Sequence, residues 1–477
     1  MRQCSNANIK EHLPWAISRA DSALQIGPRI EGVLASCAGS IPSSRTNDRN
    51  LSIRRSALFA MTIFVMSIIF SVISAWGQEF YLHNGDRVTF YGDSITAQRF
   101  YTQDIEAFVD TRYPTLNVSF HNAGVPGDRV SGGYAGDAAT RVARDVAPFK
   151  PTVLTVMLGM NEGGYTAFNP DVLTPFLSGY AELLKLLRQA AQGARITLLE
   201  NTSYDEVTHG TEFAGYMETT ERIAESTRSL AAREKVDVID TNTPVKQLLL
   251  AAAATEQKLA SLLIRDRIHP EDAAHWMIAA TVMKAWHVNP IVSEVELNAG
   301  TASIISAQRT SVIGLTSGVT GLKWEQKDEA LPLPLDLNDS LMQMVLRLTD
   351  LASLDQQTLR VTGLKPGKYN LLIDQRKIPG PFSSEQLSAG INLALMPTPM
   401  VSQAREVSGT LDNRSKLEQA DFFLRVETSA SGKDCASQSL SEGEQDYNRK
   451  VRENLVIKQH QFEIAPLQVS QATSSSN

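Results

Sequence analysis

Two short stretches far apart in the chain carry the residues most able to do chemistry. Ser94 stands in Gly92-Asp93-Ser94-Ile95, and His269 stands 175 residues later in Asp266-Arg267-Ile268-His269-Pro270. A serine hydroxyl is a poor nucleophile until a base removes its proton, and an imidazole titrates close enough to neutrality to be that base. Asp266, three residues before the histidine, is placed to accept the other ring N–H and fix the tautomer. Two further positions offer donors for a developing oxyanion: the Gly127 backbone N–H and the Asn161 side-chain amide. Together these groups suit attack of a serine on a carbonyl carbon. Each also has a plainer reading. Gly-Asp-Ser and Asp-x-x-His are common helix caps, and Gly127 and Asn161 sit in turn-forming sequence.

What distinguishes the set is where the surrounding elements put it. Val88-Thr89-Phe90-Tyr91 reads as a short buried strand ending at the Gly-Asp-Ser turn, with a helix from about Ala97 to Thr111 behind it. Leu116–Phe120 alternates like a second strand and runs into the Gly- and Pro-rich stretch 122–129. A helix over 138–146 leads to Thr152–Leu158, a continuous apolar run suited to a strand covered on both faces, which ends at Gly159-Met160-Asn161. A helix at 171–192, a strand at 194–199, a helix at 212–234, a strand at 236–240 and helices at 244–250 and 271–286 repeat the plan. Five strand–helix alternations imply a parallel sheet with helices on both faces. In such a sheet the C-terminal strand ends meet in one crevice. Ser94, Gly127 and Asn161 each follow a separate strand, and His269 precedes the last helix.

The four blocks resemble those of the SGNH/GDSL hydrolase superfamily. Gly92-Asp93-Ser94-Ile95 is similar to the serine block, Asn122 to Asp128 to the glycine block, Gly159-Met160-Asn161 to the asparagine block, and Asp266 to Pro270 to the Asp-x-x-His block. The resemblance covers roughly residues 85–290. It implies a flavodoxin-like three-layer α/β/α fold, with Ser94, Asp266 and His269 as the triad. It also implies an oxyanion hole of the Ser94 and Gly127 N–H groups and the Asn161 amide, and neither metal nor organic cofactor. One departure is Glu162, where the family usually has Asp; an altered loop with activity retained is expected there.

With 43% hydrophobic and 20% charged residues the chain is of ordinary globular composition. Arg54-Arg55 and the apolar run from Ala57 to Trp76 read as a signal peptide cleaved after Gly77, or as an uncleaved membrane anchor. Residues 1–53 are expected to be disordered or untranslated, with translation beginning nearer the signal; a mature N-terminus before residue 54 would contradict this. Loss of residues 1–77 removes eight basic and four acidic residues and leaves 37 against 48, a net charge of −11. That balance argues against nucleic acid as a partner. It also leaves Cys435 alone, so no intrachain disulfide is expected.

After the hydrolase-like region (80–290), residues 298–385 read as a small β-rich domain, with Gly363–Gly367 as a hairpin turn. Residues 397–477 read as helical, with a helix near 442–460 and a disordered end. Trp324, Tyr369 and Phe382 have the types that stack on sugars, though core packing is the commoner use of such rings. The resulting expectation is an exported serine esterase acting on an O-acetylated carbohydrate. Short-chain acyl esters or lysophospholipids are the alternative substrates, and a non-catalytic carbohydrate-binding protein is the alternative of another class.

Overall fold

The computed structural model describes residues 79–209, 214–318, 321–427 and 433–467. The expected extension and signal segment, residues 1–77, lie outside the described residues. The elements below all belong to the compact unit that begins at Leu82.

Five parallel strands form the first sheet: β1 (Arg87–Gly92), β2 (Ser119–Gly124), β3 (Val153–Met157), β4 (Arg195–Leu199) and β5 (Asp237–Ile239), in the spatial order β2-β1-β3-β4-β5. This is the flavodoxin-like order. Every residue of β3 is buried, as its apolar run requires of a central strand. Alternation along β1 sends neighbouring rings to opposite faces. Tyr91 joins the cluster built from Leu154, Val156, Phe176, Tyr180, Leu183, Leu187, Ile223 and Leu230. Phe90 instead meets Tyr101 edge-on at 5.8 Å, on the other side.

The helices are α1 (Ser94–Ala97), α2 (Phe100–Arg112), α3 (Ala138–Arg141, continued by a wider turn to Val146), α4 (Leu173–Ala190), α5 (Tyr216–Glu234), α6 (Asn242–Ala260) and α7 (Asp272–Ala285). Two expectations shift. The second strand begins at Ser119 rather than Leu116, because its register is set by pairing with β1, Arg87 opposite Ser119 through Gly92 opposite Gly124. Its polar His121 and Asn122 gave no apolar signal. The helix expected to end at Leu250 continues to Ala260 through the alanine run, with a break at Glu256.

Beyond α7 the chain builds two facing sheets. One contains β6 (Ile291–Asn298), β7 (Ser303–Gln308) and β10 (Gln356–Thr362); the other contains β8 (Thr310–Gly318), β9 (Gly321–Asp328), β11 (Lys368–Ile373) and β12 (His460–Pro466). Val295, Leu297, Leu359 and Val361 from the first sheet pack on Leu322, Trp324, Leu371, Phe462 and Ile464 from the second.

The turn at 363–367 is therefore not a hairpin. β10 runs parallel to β6, and β11 pairs with β12, so the turn carries the chain from one sheet to the other. Trp324, Tyr369 and Phe382 are 2%, 7% and 7% exposed, and serve the core. Helix α8 (Ser340–Leu348), unforeseen between the strands, follows Leu331, Leu333 and Leu335, all buried. Helices α10 (Pro399–Glu427) and α11 (Lys433–Asn454) form the C-terminal hairpin, where α9 is Ser384–Ala389. Val407, Leu411 and Val451 of this hairpin meet Ala107 of α2. The helix expected over 442–460 stops at Asn454, and β12 follows.

Candidate active site

Ser94 is the first residue of α1, and Asp93 caps that helix by accepting the Ile95 N–H at 3.0 Å. The helix sits directly on the strand ends because two glycines permit it. A Cβ on Gly92 would fall 2.7 Å from the Met157 carbonyl oxygen, and one on Gly124 would fall 2.3 Å from the Ala97 nitrogen. Gly124→Ala is accordingly expected to push α1 off β2 and to cost about 1–3 kcal/mol of stability together with activity. Urea melts beside turnover would test this, and an unchanged melt would count against the close approach.

The loop before α7 brings the histidine to the serine. Arg267 adopts a left-handed conformation, φ 69°, which folds the Asp266 carboxylate back over the loop. One carboxylate oxygen accepts the backbone N–H groups of Ile268 and His269, at 3.0 and 2.7 Å. The other lies 2.5 Å from His269 Nδ1. On the far side of the ring, Nε2 lies 2.6 Å from Ser94 Oγ. With Nδ1–H donating to Asp266, Nε2 is left to accept the serine proton. The side chains of His269 and Asp266 are 23% and 21% exposed, so the line of hydrogen bonds opens to solvent at the sheet edge.

Gly127 and Asn161 reach the same edge from β2 and β3. Gly127 has φ 71°, and nothing lies within 4 Å of a Cβ placed there, so glycine is required by backbone conformation rather than by crowding. Asn161, 6% exposed, donates one amide N–H to the Asp128 carbonyl at 2.9 Å, which ties the two loops together. Its other amide N–H and the backbone N–H groups of Ser94 and Gly127 are the groups an oxyanion can use. The fold joins Ser94, His269 and Asp266 by hydrogen bonds and sets Gly127 and Asn161 after β2 and β3, the strands on either side of β1.

Several neighbours were not foreseen as parts of the site. Glu162, the departure noted above, accepts the Val130 N–H at 2.9 Å and adds a second tie between the asparagine and glycine loops. Burial, opposed by that hydrogen bond, pushes its carboxyl up to about 8. Burial likewise pushes Asp93 up to about 7, with the Ile95 hydrogen bond and nearby His269 working the other way. Tyr165 donates its hydroxyl to Asn161 Oδ1 at 2.8 Å. Its only sequence signal was its place just after Gly163-Gly164. Behind the oxyanion loop, Arg141 is fully buried against Asp128 and Asp145 and lies over the Tyr91 ring at 4.5 Å. Among the described residues no group of three or more His, Cys, Asp or Glu side chains is arranged to hold a metal ion, and no helix is long and apolar enough to cross a membrane.

Residues 90–277 match the model of the GDSL-like Lipase/Acylhydrolase family. Among solved structures the chain is similar to BT4096, a gut microbial diltiazem-metabolizing enzyme, with a TM-score of 0.69 and 23% identity over 81% of this chain and 98% of that one. It is also similar to Axe2, an acetylxylan esterase from Geobacillus stearothermophilus, with a TM-score of 0.35 and 19% identity over 44% of this chain and 97% of that one. No curated protein matches the chain by sequence.

Proposed function

From the match of residues 90–277 to the GDSL-like lipase/acylhydrolase family model, we infer that the chain belongs to that family and, as an ester-bond hydrolase, works as a serine esterase through Ser94, His269 and Asp266. The observation that carries the reading is the unbroken line from Asp266 through both ring nitrogens of His269 to Ser94 Oγ. Ser94 Oγ attacks the ester carbonyl carbon while its proton passes to His269 Nε2. Asp266 holds the resulting imidazolium. The negative charge on the former carbonyl oxygen is met by the N–H groups of Ser94, Gly127 and Asn161. Collapse expels the alcohol, which takes the proton from His269, and leaves an acyl group on Ser94. Water then attacks that acyl carbon with His269 again as base, releasing the carboxylic acid and restoring the serine.

Asn161→Ala should lower kcat by roughly 10²–10³ and leave KM close to its starting value, since the amide acts on charge that develops only in the transition state. Steady-state kinetics on p-nitrophenyl acetate test this; a rise in KM alone would assign Asn161 to ground-state binding.

For the substrate we take an O-acetylated carbohydrate. An open serine–histidine edge admits a bulky alcohol portion, and an exported, acidic chain meets polysaccharides. Export itself is part of this proposal and rests on the apolar run after Arg54-Arg55. Acetylated oligosaccharides assayed beside long-chain p-nitrophenyl esters decide it. Preference for the long acyl chains would replace this reading with a lipid-directed one.

A further inference from the structure

An asparagine amide serves an oxyanion only when its nitrogen faces the reacting carbon. Turned over, it would set a carbonyl oxygen against the growing negative charge. Two contacts fix the amide of Asn161. Nδ2 donates to the Asp128 carbonyl, which can only accept, and Oδ1 accepts from the Tyr165 hydroxyl at 2.8 Å. Burial, together with nearby Asp93 and Asp266, raises the phenol well above its ordinary value, so it remains a donor through neutral pH.

Tyr165 reaches this position by an unusual backbone. Gly164 and Tyr165 are both left-handed, φ 62° and 59°, a conformation that a bulky side chain rarely adopts. The tyrosine ring leans on Tyr216 at 5.0 Å, and the Tyr216 hydroxyl donates to the Met160 carbonyl one residue before Asn161. The asparagine is thus held through its side chain by one tyrosine and through the preceding backbone by another.

We propose that Tyr165 is a positioning residue of the esterase reaction: by donating to Asn161 Oδ1 it keeps the amide N–H turned toward the oxyanion, and so sets kcat without touching the substrate. The proposal rests on the serine-esterase reading above. It separates Tyr165 from a ring that merely packs, because its effect must pass through Asn161.

The test is a double-mutant cycle of Tyr165→Phe and Asn161→Ala on p-nitrophenyl acetate. It is run at a temperature where circular dichroism finds every variant folded, with Ser94→Ala as the control. Tyr165→Phe is expected to lower kcat about tenfold with KM within about twofold, the scale of one hydrogen bond. In the Asn161→Ala background the same change should cost nothing further. Binding of phenylboronic acid, which mimics the tetrahedral adduct on serine, should weaken in parallel for the single variant and show no extra loss in the double. An undiminished kcat for Tyr165→Phe, or an equal loss in both backgrounds, overturns the proposal. If Ser94→Ala itself keeps full turnover, the esterase reading fails instead, and the two failures are told apart by that control.

Discussion

Ser94→Ala and His269→Ala are each expected to remove on the order of 10⁶ from kcat, and the double variant to be no worse than either alone. The non-additivity follows from the single line of hydrogen bonds: with the base gone the hydroxyl keeps its proton, and with the hydroxyl gone the base has nothing to activate. Asp266→Asn should cost roughly 10⁴. The replacement keeps an oxygen to accept the Ile268 and His269 backbone N–H groups, so the left-handed turn at Arg267 has no reason to move. What changes is the atom facing His269 Nδ1. An amide NH₂ there must donate, which forces the ring proton onto Nε2 and deprives Ser94 of its acceptor. Turnover of p-nitrophenyl acetate by purified protein measures all three effects. A wild-type rate no higher than that of Ser94→Ala would defeat the serine-esterase reading, with both rates at background leaving the hydrolase fold serving as a binding protein, and Asp266→Asn within tenfold of wild type would remove the aspartate from the relay.

The parts of this arrangement visible in the sequence are those whose residue type and position carry the same message. Ser94 stands at a strand end and Asp266 and His269 just before a helix, residue types chemically unusual there, and β3 is apolar but for Thr155, so both the candidate triad and the centre of the sheet could be read directly. Tyr165 and Arg141 could not. Their contacts depend on how the backbone turns and not on a residue pattern: the left-handed pair Gly164 and Tyr165 turns the tyrosine back onto Asn161, four residues earlier, and Arg141 meets Asp128, thirteen residues earlier. The C-terminal region misled for a related reason. Gly363-Leu364-Lys365-Pro366-Gly367 has the composition of a hairpin, yet both edges of β10 are taken by β6 and residues 391–392, so β11 had to pair elsewhere. It pairs with β12, a strand nearly a hundred residues downstream that follows a polar helix, and a local pattern does not encode such a long-range pairing. The same nonlocality explains the three rings Trp324, Tyr369 and Phe382, which needed the facing sheet before their core role was decided.

Arg141→Met is expected to cost about 3–5 kcal/mol of stability, because it leaves a carboxylate in the interior without its cation. Arg141 and Asp128 are both 0% exposed, and Arg141 also donates to the Ala123 carbonyl and to Asp145, the latter at 2.8 Å. Burial works against the charge on Arg141, but the Asp128 and Asp145 carboxylates outweigh it and hold the guanidinium protonated. Asp145 retains Arg144 when Arg141 is lost; Asp128 loses its ion-pair partner. Burial already raises the Asp128 carboxyl above its ordinary 3.8 despite the arginine, and removing the arginine raises it further. A raised carboxyl contributes stability that is complete below the unfolded value and is lost as pH rises through the folded one. The deficit of the variant must therefore be small near pH 4 and grow toward pH 8. Urea midpoints at the two pH values measure it, and an equal deficit at both would assign the loss to packing rather than charge. Adding Asp128→Asn to Arg141→Met should recover part of the stability at pH 8 by removing the stranded charge. Activity follows the same network, since the Asp128 carbonyl is the acceptor that holds Asn161. A folded Arg141→Met protein should therefore lose kcat while Ser94 and His269 stay in place.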